Sequence, residues 1–436
     1  MSARPVVRLL LAGVALCAVA CSAEEEPATP AAHSAPQPAP AAAPAVPETP
    51  DSLPNGLVLA LAQFVTEEGK PVPGPARLEF LYRRDGRWQT AFIEDEQSNV
   101  FHKAMFYEGP EGPRILTLAG TAAAVKTWEK TGSGLEPTTR WQKDFGGRWS
   151  RIRDAEVADL FGDGAASIAV ATHDQGVVAV LRPRGGGDFE VTVLDEKPDT
   201  FVHEIEVGDL DGDGVLEVYA TPSEPNRMDG TRQSGEVVRY VPATGEVRAV
   251  VADLGDRHAK EILVDDVDGD GRDELYVSVE GHIEGEGPQK RLVDPVEIRR
   301  FDADTEPTGG VVVGTFKDSL SRFLTAGDVD GDGKRELVVA AFSSGLWLLR
   351  PGADPKGSWQ RELIDKDSAG FEHASILADL DGDGVDELYV ASDRHKEVRR
   401  YVWKGGEALR EVIYVRPDDR SVFTWNIMPV PVELIP

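Results

Sequence analysis

Four short segments gather the carboxylates of this chain into one arrangement: Asp209-Leu-Asp211-Gly-Asp213-Gly214, Asp266-Val-Asp268-Gly-Asp270-Gly271, Asp328-Val-Asp330-Gly-Asp332-Gly333 and Asp379-Leu-Asp381-Gly-Asp383-Gly384. Asp at positions 1, 3 and 5 sets three carboxylates around one point, and Gly at position 6 permits the turn that brings them together. Oxygen-only donors select a hard cation. An EF-hand would need Glu at position 12, but Ala220, Val277, Val339 and Val390 stand there. Glu falls instead at position 9, as Glu217, Glu274, Glu336 and Glu387, and position 7 offers a backbone carbonyl from Val215, Arg272, Lys334 and Val385. Such a shell suits Ca²⁺ better than the tight octahedron of Mg²⁺, so about four calcium sites are expected. A fifth segment, Asp159-Leu-Phe161-Gly-Asp163-Gly164, has Phe161 and Ser167 where carboxylates belong, and no full site is expected there. One Asp/Gly cluster alone would read as a solvated β-turn; four in-phase copies do not.

Loops of this kind need elements that repeat with them. The five segments start 50, 57, 62 and 51 residues apart, the period of stacked modules such as propeller blades. In each unit an apolar stretch precedes the cluster and a β-branched and aromatic run follows it. The last full unit reads as four strands, 373–379, 387–392, 396–403 and 409–415. Innermost strands begin at His102, Arg153, His203, Lys260, Arg322 and His373, which makes six blades. A seventh assembles from both ends, with 421–428 innermost and 57–65, 77–84 and 88–95 completing it. That pairing closes the ring and removes exposed sheet edges. No stretch carries sustained helical periodicity with caps, so the expected fold is an all-β propeller of seven blades, with six or eight as alternatives.

With its loops and flanking strands so arranged, the chain over residues 98–436 resembles the FG-GAP/VCBS repeats of integrin-α-type propellers and their bacterial relatives. The resemblance implies that the four complete loops bind Ca²⁺ structurally.

The loops join first strands to second strands and so share one face of the disc. Strand starts and the second-to-third turns share the other. Histidines collect there: His102, His203 and His373 at strand starts, His258 just before one, and His173, His282 and His395 in turns. With Arg153, Lys260 and Arg322 they make a basic ring in an acidic protein. One reading is a mouth for an anionic group such as a uronic acid, a sulfated sugar or an acidic peptide. The plainer reading is that these side chains are solvated and pair with Glu204, Glu261 and Glu372. Two insertions, 222–235 and 281–295, lengthen turns on this face, and long loops on a rigid scaffold often carry recognition. The expected role is a binding, adhesion or scaffold module for a protein or anionic carbohydrate. The alternative is a carbohydrate lyase or dehydratase, with His203 or His373 as base and Arg153 or Arg322 as the carboxylate clamp. Histidine clustering also leaves a transition-metal site open.

The chain ends bear on location. Residues 1–20 carry Arg4 and Arg8, an apolar run from Leu9 to Ala20 and no acidic residue, the layout of an export signal and too short to span a bilayer. Ala18-Val19-Ala20-Cys21 resembles the lipobox of bacterial lipoproteins, which makes Cys21 the expected acylation site and membrane anchor. Ser22 after it favours the outer membrane or cell surface. Residues 21–52 are mostly Ala, Pro, Glu, Ser and Thr, a tether that cannot bury enough apolar surface to fold, and the propeller is expected over 53–436. Cys17 and Cys21 are the only cysteines, so the folded part holds no disulfide. The formal charge of −30, or −32 without Arg4 and Arg8, excludes nucleic acid as an expected partner.

Overall fold

A computed structural model describes residues 49–68, 70–120, 123–144, 150–173, 175–224, 233–285, 287–370, 373–417 and 421–436. The signal, Cys21 and most of the tether lie outside these residues.

Seven antiparallel sheets follow one another as blades, six of four strands and the last of five. Their first strands are Phe101–Gly109, Ile152–Ala158, Phe201–Gly208, Ala259–Asp265, Ser321–Gly327, Ser375–Ala378 and Ser421–Pro431. These strands touch in a closed cycle and line the centre. The seventh blade joins both chain ends. Ser421–Pro431 pairs antiparallel with Asn55–Glu67, which pairs onward to Ala76–Arg84 and then Arg87–Asp95. A short strand, Lys70–Pro73, also folds onto Asn55–Glu67. The closure expected from the sequence is therefore present, and it leaves no open edge at the seam.

The second strands of blades two to six, Ser167–Thr172, Glu217–Ser223, Glu274–Val279, Glu336–Ala341 and Glu387–Ser392, are buried at every residue. Strands covered on both faces have no use for polar alternation, hence their Val, Ala, Leu and Tyr content. The outermost strands alternate instead, as in Phe189–Glu196. Apolar clusters fill the space between neighbouring blades, for example Tyr219, Val237, Ile262, Leu275 and Val277 between blades three and four.

First strands bulge near their starts. Pairing with the second strand skips His102 and Lys103 in blade one, Arg153 in blade two, His203 and Glu204 in blade three, Lys260 in blade four and Arg322 in blade five. In blade seven it skips Trp425. A bulge re-aims side chains and frees backbone groups from the ladder, and here neighbouring blades take up some of those groups. Asp154 Oδ2 accepts from Ile205 N at 3.0 Å, Glu261 Oε1 from Leu324 N at 3.1 Å, Thr325 Oγ1 from Leu377 N at 3.0 Å and Asn426 Oδ1 from Ala104 N at 3.3 Å.

A second set of inter-blade bonds lies on the loop face. Asp273 accepts from Asp209 N at 2.7 Å, and Asp386 from Asp328 N at 2.9 Å. The residue before each of these two loops must be small. A Cβ on Gly208 would sit 2.8 Å from Asp273 Oδ2, and one on Gly327 2.5 Å from Asp386 Oδ2.

The seam between blades six and seven is ionic. Buried Arg416 donates to Glu79 at 2.9 Å, Asp393 at 2.6 Å and Thr424 Oγ1 at 2.9 Å, while Asp393 also accepts from Thr424 N at 2.7 Å. On the other side, Arg400 reaches Thr49 Oγ1 at 2.6 Å and Arg83 the Pro50 carbonyl at 2.7 Å, so the chain is held from Thr49 onward.

Candidate functional site

The loop face carries the four expected carboxylate groups. Oxygens of Asp209, Asp211 and Asp213, of Asp328, Asp330 and Asp332, and of Asp379, Asp381 and Asp383 converge within 4.8 Å of one another; Glu274 joins Asp266, Asp268 and Asp270 in the fourth group. Each loop is wound the same way. Asp209 accepts Asp213 N at 3.0 Å and Gly214 N at 2.8 Å, and Asp266, Asp328 and Asp379 repeat both bonds. The turn needs left-handed backbone at positions 4 and 6, as at Gly212 (φ 69°) and Gly214 (φ 83°). Three carboxylates, all oxygen, on a tightly wound loop fit a hard divalent cation.

Glu at position 9 is spent differently from expectation in three loops. Glu217 accepts Leu210 N at 3.1 Å and Arg239 at 2.7 Å, Glu336 accepts Val329 N at 3.2 Å and Arg350 at 2.5 Å, and Glu387 accepts Tyr389 Oη at 2.8 Å and Arg400 at 2.5 Å. Glu274 is held by Tyr276 at 2.9 Å and Arg300 at 3.3 Å, yet still reaches its Asp group. Burial pushes Glu274 and Glu336 up to about 7. Among the described residues, the fifth loop at Asp159 forms no such carboxylate group. It keeps the same winding, with Asp163 N and Gly164 N donating to Asp159 at 3.0 and 2.8 Å.

On the opposite face the bulges bring most of the basic ring together. His102, Arg153, His203, Lys260 and Arg322 are all buried, so the solvated arrangement read from the strand starts does not occur. The ring of His203 lies 5.0 Å from that of His173, which contacts Arg151 Nη2 through Nδ1 at 3.0 Å. Neither ring nitrogen of His203 has a hydrogen-bond partner among the described residues. Burial, then the nearby charges of Lys260, His173, Arg153 and Arg322, hold this imidazole well below its ordinary pKa. Burial, then the charges of Arg153, Arg151 and His173, hold His102 down as well, though its Nδ1 donates to the Ile152 carbonyl at 2.7 Å. Glu280 is the counter-ion: Arg322 stands 3.1 Å away, Lys260 3.7 Å and His258 2.9 Å. Burial alone would raise its carboxyl, but Arg322, Lys260 and His258 outweigh it and set it at about 2. Half-buried aromatics border the cluster, with Arg153 5.4 Å over Trp425 and Phe423 6.3 Å from Trp425.

His373 stands apart from this cluster. Ser368 Oγ lies 2.9 Å from its Nε2, its Nδ1 donates to the Ala341 carbonyl at 3.3 Å, and burial lowers its pKa to about 4. His395 bonds Ser392, and His282 sits on a side hairpin 3.8 Å from Glu284.

Further along the same first strands the charge turns acidic. Asp154, Glu156, Glu204, Glu206 and Glu261 crowd around Lys103, which lies 3.0 Å from Asp154 and also bonds Glu156. Burial and mutual repulsion hold Glu204 and Glu206 well above the carboxylate range, and burial does the same to Glu261. Burial also opposes ionisation of Asp154, but Lys103 prevails and its pKa falls.

Residues 159–220 and 328–390 match the FG-GAP-like repeat, each span running from an Asp/Gly loop through a second strand. The chain is a β-propeller that carries FG-GAP-like repeats. This propeller is 26% identical over 254 residues to rhamnogalacturonan exolyase YesX of Bacillus subtilis (strain 168), a match covering 48% of the chain and 40% of that enzyme. The chain thus spans well under half the length of its curated relative. In three dimensions it is similar to an Agrocybe aegerita lectin solved for its recognition of non-reducing terminal N-acetylglucosamine, with TM-score 0.52, 14% identity and coverage of 86% of this chain and 95% of the lectin. That likeness concerns fold alone.

Two features of the propeller's sites escaped the sequence reading. Trp425 occupies the bulge position in blade seven and could have been found by carrying the strand-start register into 421–428. The third-strand arginines at the loops, Arg239, Arg300 and Arg350, announce themselves only through contacts with Asp211 at 3.1 Å, Asp268 at 2.7 Å and Asp330 at 2.9 Å.

Proposed function

We propose that this protein is an exported, lipid-anchored, calcium-stabilised binding propeller that takes an anionic carbohydrate at the basic mouth of its channel. The observation that carries this reading is the convergence of Arg153, His203, Lys260 and Arg322, set at bulges in successive blades, with Arg151, His173 and Trp425 beside them. Desolvated cations attract a carboxylate more strongly than solvated ones, and an aromatic rim offers a stacking surface to a sugar ring. The curated relative acts on rhamnogalacturonan, a uronate-containing glycan of this charge. Calcium in the Asp loops would be held by the three Asp carboxylates of each, with Glu274 added in the second. Its role there is to cancel their repulsion, far from the mouth.

The test is calorimetric titration with oligogalacturonate. Binding should weaken with salt, since charge contacts are screened over about 8 Å at physiological ionic strength. The half-buried variants Arg151→Gln and Trp425→Leu should each weaken it without moving the melting temperature by more than a few degrees. Absence of binding by the unaltered protein, or equal binding by both variants, overturns the proposal.

One observation favours elimination as a second reading: His203 is a neutral imidazole whose two nitrogens have no hydrogen-bond partner among the described residues, set among guanidinium and ammonium groups. Such a base would take the proton α to a uronate carboxylate while the cations neutralise the enolate. The β C–O bond then breaks, a C=C bond forms and the leaving oxygen is protonated. The same titration mixtures separate the readings, because a lyase generates ultraviolet-absorbing unsaturated sugar and a binder returns the glycan unchanged.

A further inference from the structure

Each Asp loop in blades two to five is met by an arginine from the third strand of its own blade, and the contacts differ in a consistent way. Arg239 bridges Asp211 at 3.1 Å and Glu217 at 2.7 Å; Arg300 bridges Asp268 at 2.7 Å and Glu274 at 3.3 Å; Arg350 bridges Asp330 at 2.9 Å and Glu336 at 2.5 Å. The guanidinium therefore ties position 3 to position 9 in three loops. In the loop at Asp379 the equivalent Arg400 is drawn instead to Glu387 at 2.5 Å, Glu411 at 3.2 Å and Thr49 at 2.6 Å. In the degenerate loop Phe161 replaces the position-3 carboxylate, and Arg182 bonds Asp163 while lying 4.3 Å over the Phe161 ring. That loop keeps the backbone hydrogen bonds of the others.

We infer that these arginines are built-in counter-ions that compete electrostatically with the metal for the Asp loops. In the fifth loop the substitution is complete, with Arg182 and Phe161 making a loop that folds on a protein cation alone. In the loops at Asp209, Asp266 and Asp328 the guanidinium holds the position-3 carboxylate in place before metal arrives and lowers the negative field the metal meets. The loop at Asp379 has its position-3 carboxylate uncompensated by Arg400 and is the one that depends most on metal. Glu at position 9 belongs to this arginine in the loops at Asp209, Asp328 and Asp379, as its contacts with Arg239, Arg350 and Arg400 show. A loop lacking it, like that at Asp159 with Ser167, is not thereby disqualified from binding metal.

The inference rests on the reading that the complete loops hold a divalent cation, and the experiment keeps the two apart. Calcium stoichiometry and melting are measured for the propeller with and without EDTA. Arg239→Gln keeps a hydrogen-bond donor but removes the charge. It should lower the melting temperature in EDTA, widen the calcium-induced rise and tighten one site about tenfold, the effect of one charge on a divalent ion at water-like dielectric. Phe161→Asp alone should add no site, because Arg182 still occupies the loop. Phe161→Asp with Arg182→Gln should add one. If the unaltered protein binds no calcium, the metal reading itself falls. If it binds calcium but Arg239→Gln leaves the calcium-induced rise unchanged or smaller, or Phe161→Asp gains a site unaided, or the double variant gains none, the competition inference is overturned and the metal reading stands.

Discussion

Lys103 is the cation among the acids Asp154, Glu156, Glu204 and Glu206, and replacing it with Met tests how that cluster is held. The side chain lies 3.0 Å from Asp154 and bonds Glu156, with Glu204 and Glu206 close enough to raise its own pKa. Met preserves most of the apolar stem, so the change is mainly one of charge. Removing one partner of a buried pair costs about 3–5 kcal/mol when the other is left ionised. Asp154 then loses the neighbour that keeps its pKa low, and it joins Glu204, Glu206 and Glu261, whose pKa values are already raised. A carboxyl with a folded pKa above its unfolded value binds more protons when folded, so stability falls as pH rises between those two values. The full loss should appear near pH 8, and toward pH 5 it should shrink by about 1.4 kcal/mol per pH unit for each proton the cluster takes up. Urea unfolding followed by tryptophan fluorescence at both pH values reads this directly. A Lys103→Met penalty that is the same at both would falsify the account, because cavity and packing losses do not titrate; Lys103→Arg should retain stability near pH 8.

Arg416→Ala should destabilise the seam of blades six and seven by about 3–5 kcal/mol, since Glu79 and Asp393 are left buried without their shared cation. Differential scanning calorimetry checks this, and a loss under about 1 kcal/mol would mean that strand pairing alone closes the ring. Chelation by EDTA should lower the melting temperature clearly, because at free calcium one hundred times the dissociation constant each independent site adds about 2.7 kcal/mol; an unmoved transition counts against calcium in the loops. Mass spectrometry of the mature N-terminus should find Cys21 lipid-modified, and an unmodified chain cut elsewhere in intact cells refutes the anchor.

The blades and Asp loops were legible in the sequence because both depend on local rules: glycine at left-handed positions, carboxylates at odd positions of a six-residue turn, and apolar runs at fixed distance from them. Closure was legible too, since 421–428 has the pattern of a first strand with no blade of its own while 57–95 has three strands lacking one. The basic ring was legible as a register but not as a buried cluster. A strictly alternating strand would send Arg153 and Asp154, or His203 and Glu204, to opposite faces, whereas the bulges at these positions release both from that alternation. The charges then succeed one another along the first strands, basic first and acidic further on, and much of their compensation is across blades rather than along the strand: Lys103 of blade one with Asp154 of blade two, and Glu280 of blade four with Arg322 of blade five. Pairing of that kind depends on which strand stands beside which, and that is fixed only when the ring closes. The same bulges that aim bases at the mouth also expose the backbone N–H groups that Asp154, Glu261 and Asn426 take up from the next blade. Mouth chemistry and blade-to-blade cohesion therefore share residues. A variant that straightens one bulge should lose both together, whereas a variant at half-buried Arg151 should lose only the first.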